Sequence, residues 1–155
     1  MTNSVEQLRS EARYAERLCH RTARLYRRAQ TIGTFLTIVG GSGTLAALVH
    51  DVPGWIPSLG AILMAVFGAA MIAIRPGDKA AANESDAKRY SALLASTVGF
   101  SAEDFERALE LARQSDAAEV EGLRNVAYND VVREIGAESA AVELSRTERF
   151  LALVA

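Results

Sequence analysis

Two stretches decide how this 155-residue chain can fold. Ile32 to His50, IGTFLTIVGGSGTLAALVH, and Ile56 to Ile74, IPSLGAILMAVFGAAMIAI, each run 19 residues without Asp, Glu, Lys or Arg. A helix of that length reaches roughly 28 Å, close to a bilayer hydrocarbon core of about 30 Å. The 44 residues from Thr31 to Ile74 hold one charge, Asp51, while the other 111 residues hold the remaining 35. Charge is missing where hydrocarbon would exclude it and dense where water would hydrate it, which argues against an ordinary soluble globule. The competing reading is a core hairpin inside a soluble bundle, but helices of that kind usually show a polar face.

The piece between the stretches, Asp51-Val-Pro-Gly-Trp55, carries two helix breakers, Pro53 and Gly54, and an amphipathic Trp55 suited to anchoring at the lipid headgroup level. The chain therefore reads as an all-α membrane protein. It has a cytoplasmic Arg-rich helix over 1–30, a two-helix transmembrane hairpin over 31–75 with spans at about 32–50 and 56–74, and a helical cytoplasmic region over 76–155. Thirty mostly polar residues precede the first apolar stretch, so it reads as a retained span and not as a secretory signal. Seven Arg lie before the first span, Arg75 and Lys79 follow the second, and the turn has neither Lys nor Arg. The positive-inside rule then places both termini in the cytoplasm.

Residues 1–30 carry a net charge of +4, and residues 75–155 carry −5. Arg9, Arg13, Arg17, Arg21, Arg24, Arg27 and Arg28 recur at intervals of three and four, in one helical sector about 120° wide. Leu8, Ala12, Ala15, Leu18, Cys19, Tyr26 and Ala29 occupy the opposite sector. A stripe of guanidiniums repels itself unless something negative lies opposite. Lipid headgroups suit only the membrane-proximal Arg24, Arg27 and Arg28. The acidic stretch Glu103, Asp104, Glu106 and Glu110 is an intrachain partner. A nucleotide or short oligonucleotide is the third, with Arg13, Arg17, Arg21, Arg24 and Arg28 as phosphate ligands. Tyr14 and Tyr26 are the only stacking residues nearby, so base readout is not supported.

In the first span, Gly33, Thr37, Gly40 and Thr44 share one face, with Gly41 and Ser42 beside them. Small residues permit close helix packing, and the same face could line a pore formed by several chains, with Thr37, Gly41, Thr44 and Leu48 near the path. In the second span Ala61, Ala65, Ala69 and Ala73 recur at every fourth position and read as packing and lipid contact. Neither span holds a carboxylate, Lys or Arg, so the sequence gives no sign of a proton relay or coupled transporter.

The tail predicts three helical stretches and a short last one. Asp78 caps a helix reaching about Val98 and stopped by Gly99. Ser101 caps the next, with Phe100 and Phe105 as a hydrophobic staple. A third runs from Ser115 or Asp116 to Gly136 with an interruption at Gly122, and a final amphipathic stretch holds Val142, Leu144, Phe150, Leu151 and Leu153. Asn129 and Asp130 read either as a cross-linked helix interface or as a ligand contact. The lone Cys19 permits no intramolecular disulfide and reads as a bystander thiol. His20 and His50 are far apart, no metal-ligand spacing occurs, and Gly40-Gly41-Ser42-Gly43 is not followed by Lys. No enzyme, cofactor or metal is expected.

An Arg-rich leading helix, RYAERLCHRTARLYRRAQ, entering a two-span hairpin, with a late VAYNDVVREIG segment in a helical tail, resembles the SLATT family of bacterial two-transmembrane effectors. The resemblance implies a homo-oligomeric, membrane-disrupting pore serving antiphage defence and abortive infection. It also implies a signal, nucleotide or oligonucleotide, made by a partner nucleotidyltransferase. The expectation is an assembly of several chains, four being one arrangement, which the signal opens or holds shut and which depolarises the membrane when open. A phage or prophage holin-like lysis protein and a non-conducting membrane scaffold are the alternatives.

Overall fold

The computed structural model describes residues 4–49, 53–96, 100–114 and 116–155; the side chains of 47–49 lie outside the description. Six α-helices follow in order: α1 (Val5–Val49), α2 (Trp55–Ile74), α3 (Pro76–Ala95), α4 (Ala102–Arg113), α5 (Arg124–Glu134) and α6 (Arg146–Val154). Single 3₁₀ turns occupy Glu121–Leu123 and Glu138–Ala140, and no strand occurs among the described residues. The molecule is all-helical. His50 at the end of the first expected span, the expected turn residues Asp51 and Val52, the expected stop at Gly99 and the side chain of Leu48 lie outside the described residues.

Two compact units form: Tyr26–Asp78, and Met1–Leu25 together with Lys79–Ala155. In the second of these, the apolar sector of α1 is buried on two sides. Leu8, Ala12 and Cys19 join Ala87 and Tyr90 of α3 and Phe105, Leu109 and Ala112 of α4 in one cluster. Leu18 joins Leu123, Val126, Ala127 and Ala155 in another. Burying a side chain of the size of Leu8 or Phe105 contributes about 1.5–3 kcal/mol, so the apolar sector of α1 organises this unit. Tyr90 is buried, and its hydroxyl donates to Asp116 Oδ2 at 2.5 Å. Asp86, also buried, accepts the Ala117 N–H at 2.7 Å and pairs with Arg89, tying the segment after α4 to α3. Burial pushes the Cys19 thiol up to about 12, so it stays protonated and unreactive at neutral pH.

Helix ends follow local chemistry. Ser101 caps α4 by accepting the Asp104 N–H at 3.2 Å. Asp78 does not cap α3. That helix already begins at Pro76, whose missing N–H is harmless at a first helical position, and Asp78 pairs with Arg75 at 2.5 Å within the first turn. Arg75 itself takes the left-handed conformation, φ 50° and ψ 54°, and ends α2 with its N–H on Met71 O. The helix expected from Ser115 or Asp116 starts only at the 3₁₀ turn Glu121–Leu123 and continues as α5. At the far end Gly136, φ 72°, closes α5: its N–H donates to Arg133 O at 3.2 Å and the Ala137 N–H donates to Val132 O at 2.9 Å.

In the unit Tyr26–Asp78, α1 and α2 run antiparallel. Gly33 meets Met71, Gly40 meets Gly60 and Met64, and the Thr44 hydroxyl lies 3.5 Å from Pro57 O. A Cβ on Gly40 would sit 2.5 Å from the Gly60 carbonyl oxygen, and one on Gly60 would sit 2.6 Å from the Gly40 carbonyl oxygen. Only glycine allows the two backbones to touch there. Among the described residues one stretch, within Trp55–Ala95, is long and apolar enough to cross a membrane, and only 6% of that window is buried.

Candidate anion-binding groove

The basic face of α1 meets one particular helix. On α5, Val126, Ala127, Val131 and Val132 are buried, which turns Asp130, Arg133 and Glu134 toward Arg17, His20, Arg21 and Arg24 of α1. These seven residues line an open groove of about 680 Å³. Four guanidiniums there face two carboxylates, so the groove keeps a surplus of positive charge.

Arg21 is held most completely. Its Nε and Nη2 donate to the two oxygens of Asp130 at 2.9 and 3.1 Å, and its Nη1 donates to Ala152 O of α6 at 3.1 Å. The side chains of Arg21 and Asp130 are 21% and 22% exposed. Arg17 makes a single 2.8 Å bond to Glu134 Oε2, with the two side chains 47% and 41% exposed. That bond raises the Arg17 pKa further above its ordinary value. Among the described residues, the side chains of Arg24 and Arg133 have neither a hydrogen bond nor an ion pair.

The supports of the groove lie in the tail. Asn129 is buried; its amide nitrogen donates to Val142 O and its Oδ1 accepts the Val142 N–H, both at 2.8 Å. Asn129 thus clamps the segment that leads to α6 and is not turned to a ligand. Ser145 caps α6 through a reciprocal box with Glu148, whose carboxylate also accepts from Asn125 at 2.7 Å. The bonds from Ser145, then that from Asn125, hold the Glu148 carboxyl below its ordinary range. This places the α6 carbonyl that Arg21 uses.

Of the five Arg read from the sequence as phosphate ligands, the structure brings together Arg17, Arg21 and Arg24. Arg13 lines a separate hollow with Glu6, Arg9, Ser10 and Ile135, and Arg28 belongs to the unit Tyr26–Asp78. The expected acidic partners are corrected as well. Arg17 and Arg21 take Glu134 and Asp130 of α5, not Glu103, Asp104, Glu106 or Glu110 of α4, a helix that turns Phe105, Leu109 and Ala112 inward and leaves its acids exposed. Glu110 pairs with Arg113, which also takes Glu11 of α1 at 2.8 Å. His20 and Arg133 were not singled out by pattern. His20 had a signal, lying one position from Arg21 on the basic helix, whereas Arg133 had none before α5 was placed.

The small face of α1 is occupied inside the chain. Thr37 donates to Gly33 O at 2.8 Å, and Thr44 donates to Gly40 O at 3.1 Å. Thr37 and Thr44 both lie against α2, at Gly68 and Gly60, and Gly41 lies beside Met64. Thr37, Gly41 and Thr44, three of the four residues expected to line a pore, thus sit at the contact with α2, for the reason that favours them in close packing: they let backbones approach. The large side chains turn the other way. Phe35, Ile38, Leu45, Ile62, Val66 and Ile72 are each more than half exposed, as is Trp55 at the start of α2.

No known protein family, curated protein or solved structure matches the chain.

Proposed function

We propose that the chain is a membrane-embedded, homo-oligomeric pore whose conductance is set by a phosphate-bearing signal bound at the α1/α5 groove. The observation that carries this reading is the inverted packing of Tyr26–Asp78: small residues meet in its interior while Phe35, Ile38, Leu45, Ile62, Val66 and Ile72 point outward. Water penalises such a surface and lipid does not. On this reading α1 and α2 form a transmembrane hairpin, Trp55 anchors at the headgroups on one side, and both termini lie in the cytoplasm.

Two helices cannot enclose water, so a conducting path requires several chains. Thr37 and Thr44 are engaged with α2, which leaves Thr31, Thr34 and Ser42 as the outward polar residues of α1 available to such a path. Because α1 runs from Val5 to Val49 without a break, it carries both Arg17, Arg21 and Arg24 and the hairpin contacts. A ligand that binds one arrangement of the groove better than another shifts the open fraction by that difference in affinity. This agrees with what the SLATT resemblance implies, an effector of antiphage defence whose opening depolarises the cell in response to a nucleotide or oligonucleotide from a partner enzyme.

Reconstitution into planar bilayers with and without added nucleotide tests the reading. Steady unitary currents whose open probability changes with nucleotide support it. Large irregular release of trapped protein favours a holin-like lysis protein, and silence favours a scaffold.

A further inference from the structure

The four guanidiniums of the groove differ in what already holds them, and that difference assigns their roles. Arg21 is engaged on all three nitrogens, two of them in a fork on Asp130. Arg17 has one half-exposed bond to Glu134, an arrangement of small net stability. The side chains of Arg24 and Arg133 have no partner among the described residues, yet share the groove with each other and with His20. Like charges gathered this way repel until an anion separates them. The lining contains no Phe, Tyr or Trp on which a base could stack.

We infer that the groove is a phosphate-chain site that reads charge and not base. In it Arg24, Arg133 and His20 grip the phosphates, Arg17 transfers to them from Glu134, and Arg21 stays on Asp130 as a positioning residue. This rests on the proposed function only in taking the groove as the sensing site. Phosphate is the better partner for Arg17 because it offers several charged oxygens to a guanidinium fork, where Glu134 uses one. His20 supplies an N–H donor in either protonation state. The ligand class is therefore a linear run of phosphates, whether inorganic polyphosphate, a nucleoside triphosphate or the backbone of a short oligonucleotide. Transfer of Arg17 releases Glu134, and with it one link between α1 and α5.

Calorimetric titration of the full chain in detergent, with sodium tripolyphosphate, adenosine triphosphate and adenosine as probes, tests the assignment. Tripolyphosphate and the triphosphate are expected to bind within about threefold of each other, and adenosine not at all. Arg24→Gln and Arg133→Gln should each weaken binding about tenfold, the loss of one charge-assisted contact. Glu134→Gln should tighten it severalfold, because it removes a competing anion and releases Arg17. Circular dichroism on each variant checks that the helices persist. A triphosphate preferred more than tenfold over tripolyphosphate would show a base reader and overturn the inference. So would adenosine binding, wild-type affinity in both Arg variants, weaker binding in Glu134→Gln, or no binding by either phosphate probe. Phosphate binding by a protein silent in bilayers would keep the site and remove the pore; currents indifferent to tripolyphosphate would do the reverse.

Discussion

In the unit built from the chain's two ends, Leu8, Leu18, Tyr90 and Phe105 are fully buried, and large side chains make up the interior. In Tyr26–Asp78 the backbones meet at Gly40 and Gly60, where no side chain intervenes, and Phe35, Ile38, Leu45, Ile62, Val66 and Ile72 face outward. Both are helical packings of one polypeptide, yet the apolar side chains point in opposite directions. In water the drive is removal of apolar area from solvent, so the largest groups go inside. In lipid that drive vanishes between helices, and close approach of backbones takes its place. On the function proposed above, the first unit is packed for water and the second for lipid.

The largest effect is expected from removing what fills the first interior. Phe105→Ala should destabilise the unit by about 3–5 kcal/mol, read as a lower thermal midpoint by circular dichroism of the full chain in detergent. An unchanged midpoint would mean that α4 contributes no core.

Filling the second interior should do comparable damage for the opposite reason. Gly60→Val, which places carbons against the Gly40 carbonyl oxygen, should cost about 1–3 kcal/mol and separate α1 from α2. A cysteine pair at Gly33 and Met71 in a Cys19→Ser background reports on that contact. It should oxidise readily in the parent chain and slowly once Gly60 is Val. Equal rates would remove the close crossing.

Smaller effects lie in the groove. Arg21→Gln leaves Asp130 and Ala152 O without their donor and should cost about 1.5–3 kcal/mol, while Arg17→Gln should stay below about 1 kcal/mol because its pair is half exposed. Chemical denaturation of the two variants side by side orders them, and equal losses would contradict the division of roles.

The smallest effect is a pH dependence at α6. Bonds from Ser145 and Asn125 hold the folded Glu148 carboxyl below its unfolded value, so its contribution is complete above the unfolded pKa and disappears as pH falls through the folded one. Acidification should therefore weaken the α6 cap, and Glu148→Gln should flatten that part of the curve. The amide exchange rates of Arg149 and Phe150 across the acid range measure it. A variant as acid-sensitive as the parent would show that the box is irrelevant to the end of the fold.

Much of this was legible in the residues. The Arg spacing named the outward face of α1, and Leu8, Ala12, Leu18 and Cys19 were placed on the sector that is buried. Ser101 announced the start of α4. The partner of the Arg face was not legible, because α4 and α5 both carry acids at helical spacing and periodicity says which side of a helix is polar without saying what lies across from it. Arg133 entered the site only when Val126, Val131 and Val132 turned α5 inward. The Gly33, Thr37, Gly40 and Thr44 face was recognised as small, but its neighbour proved to be α2 of the same chain.

What the amino-acid order determined alone is whatever depends on spacing within one helix: the apolar stretches, the basic stripe, and the stop at Gly136. Tertiary structure decided the pairings, with Asp130 going to Arg21, Glu134 to Arg17 and Gly40 to Gly60. The physical reason is range. A helical face is set by neighbours three and four residues away, whereas a salt bridge between residues 21 and 130 depends on how every intervening helix spends its apolar side.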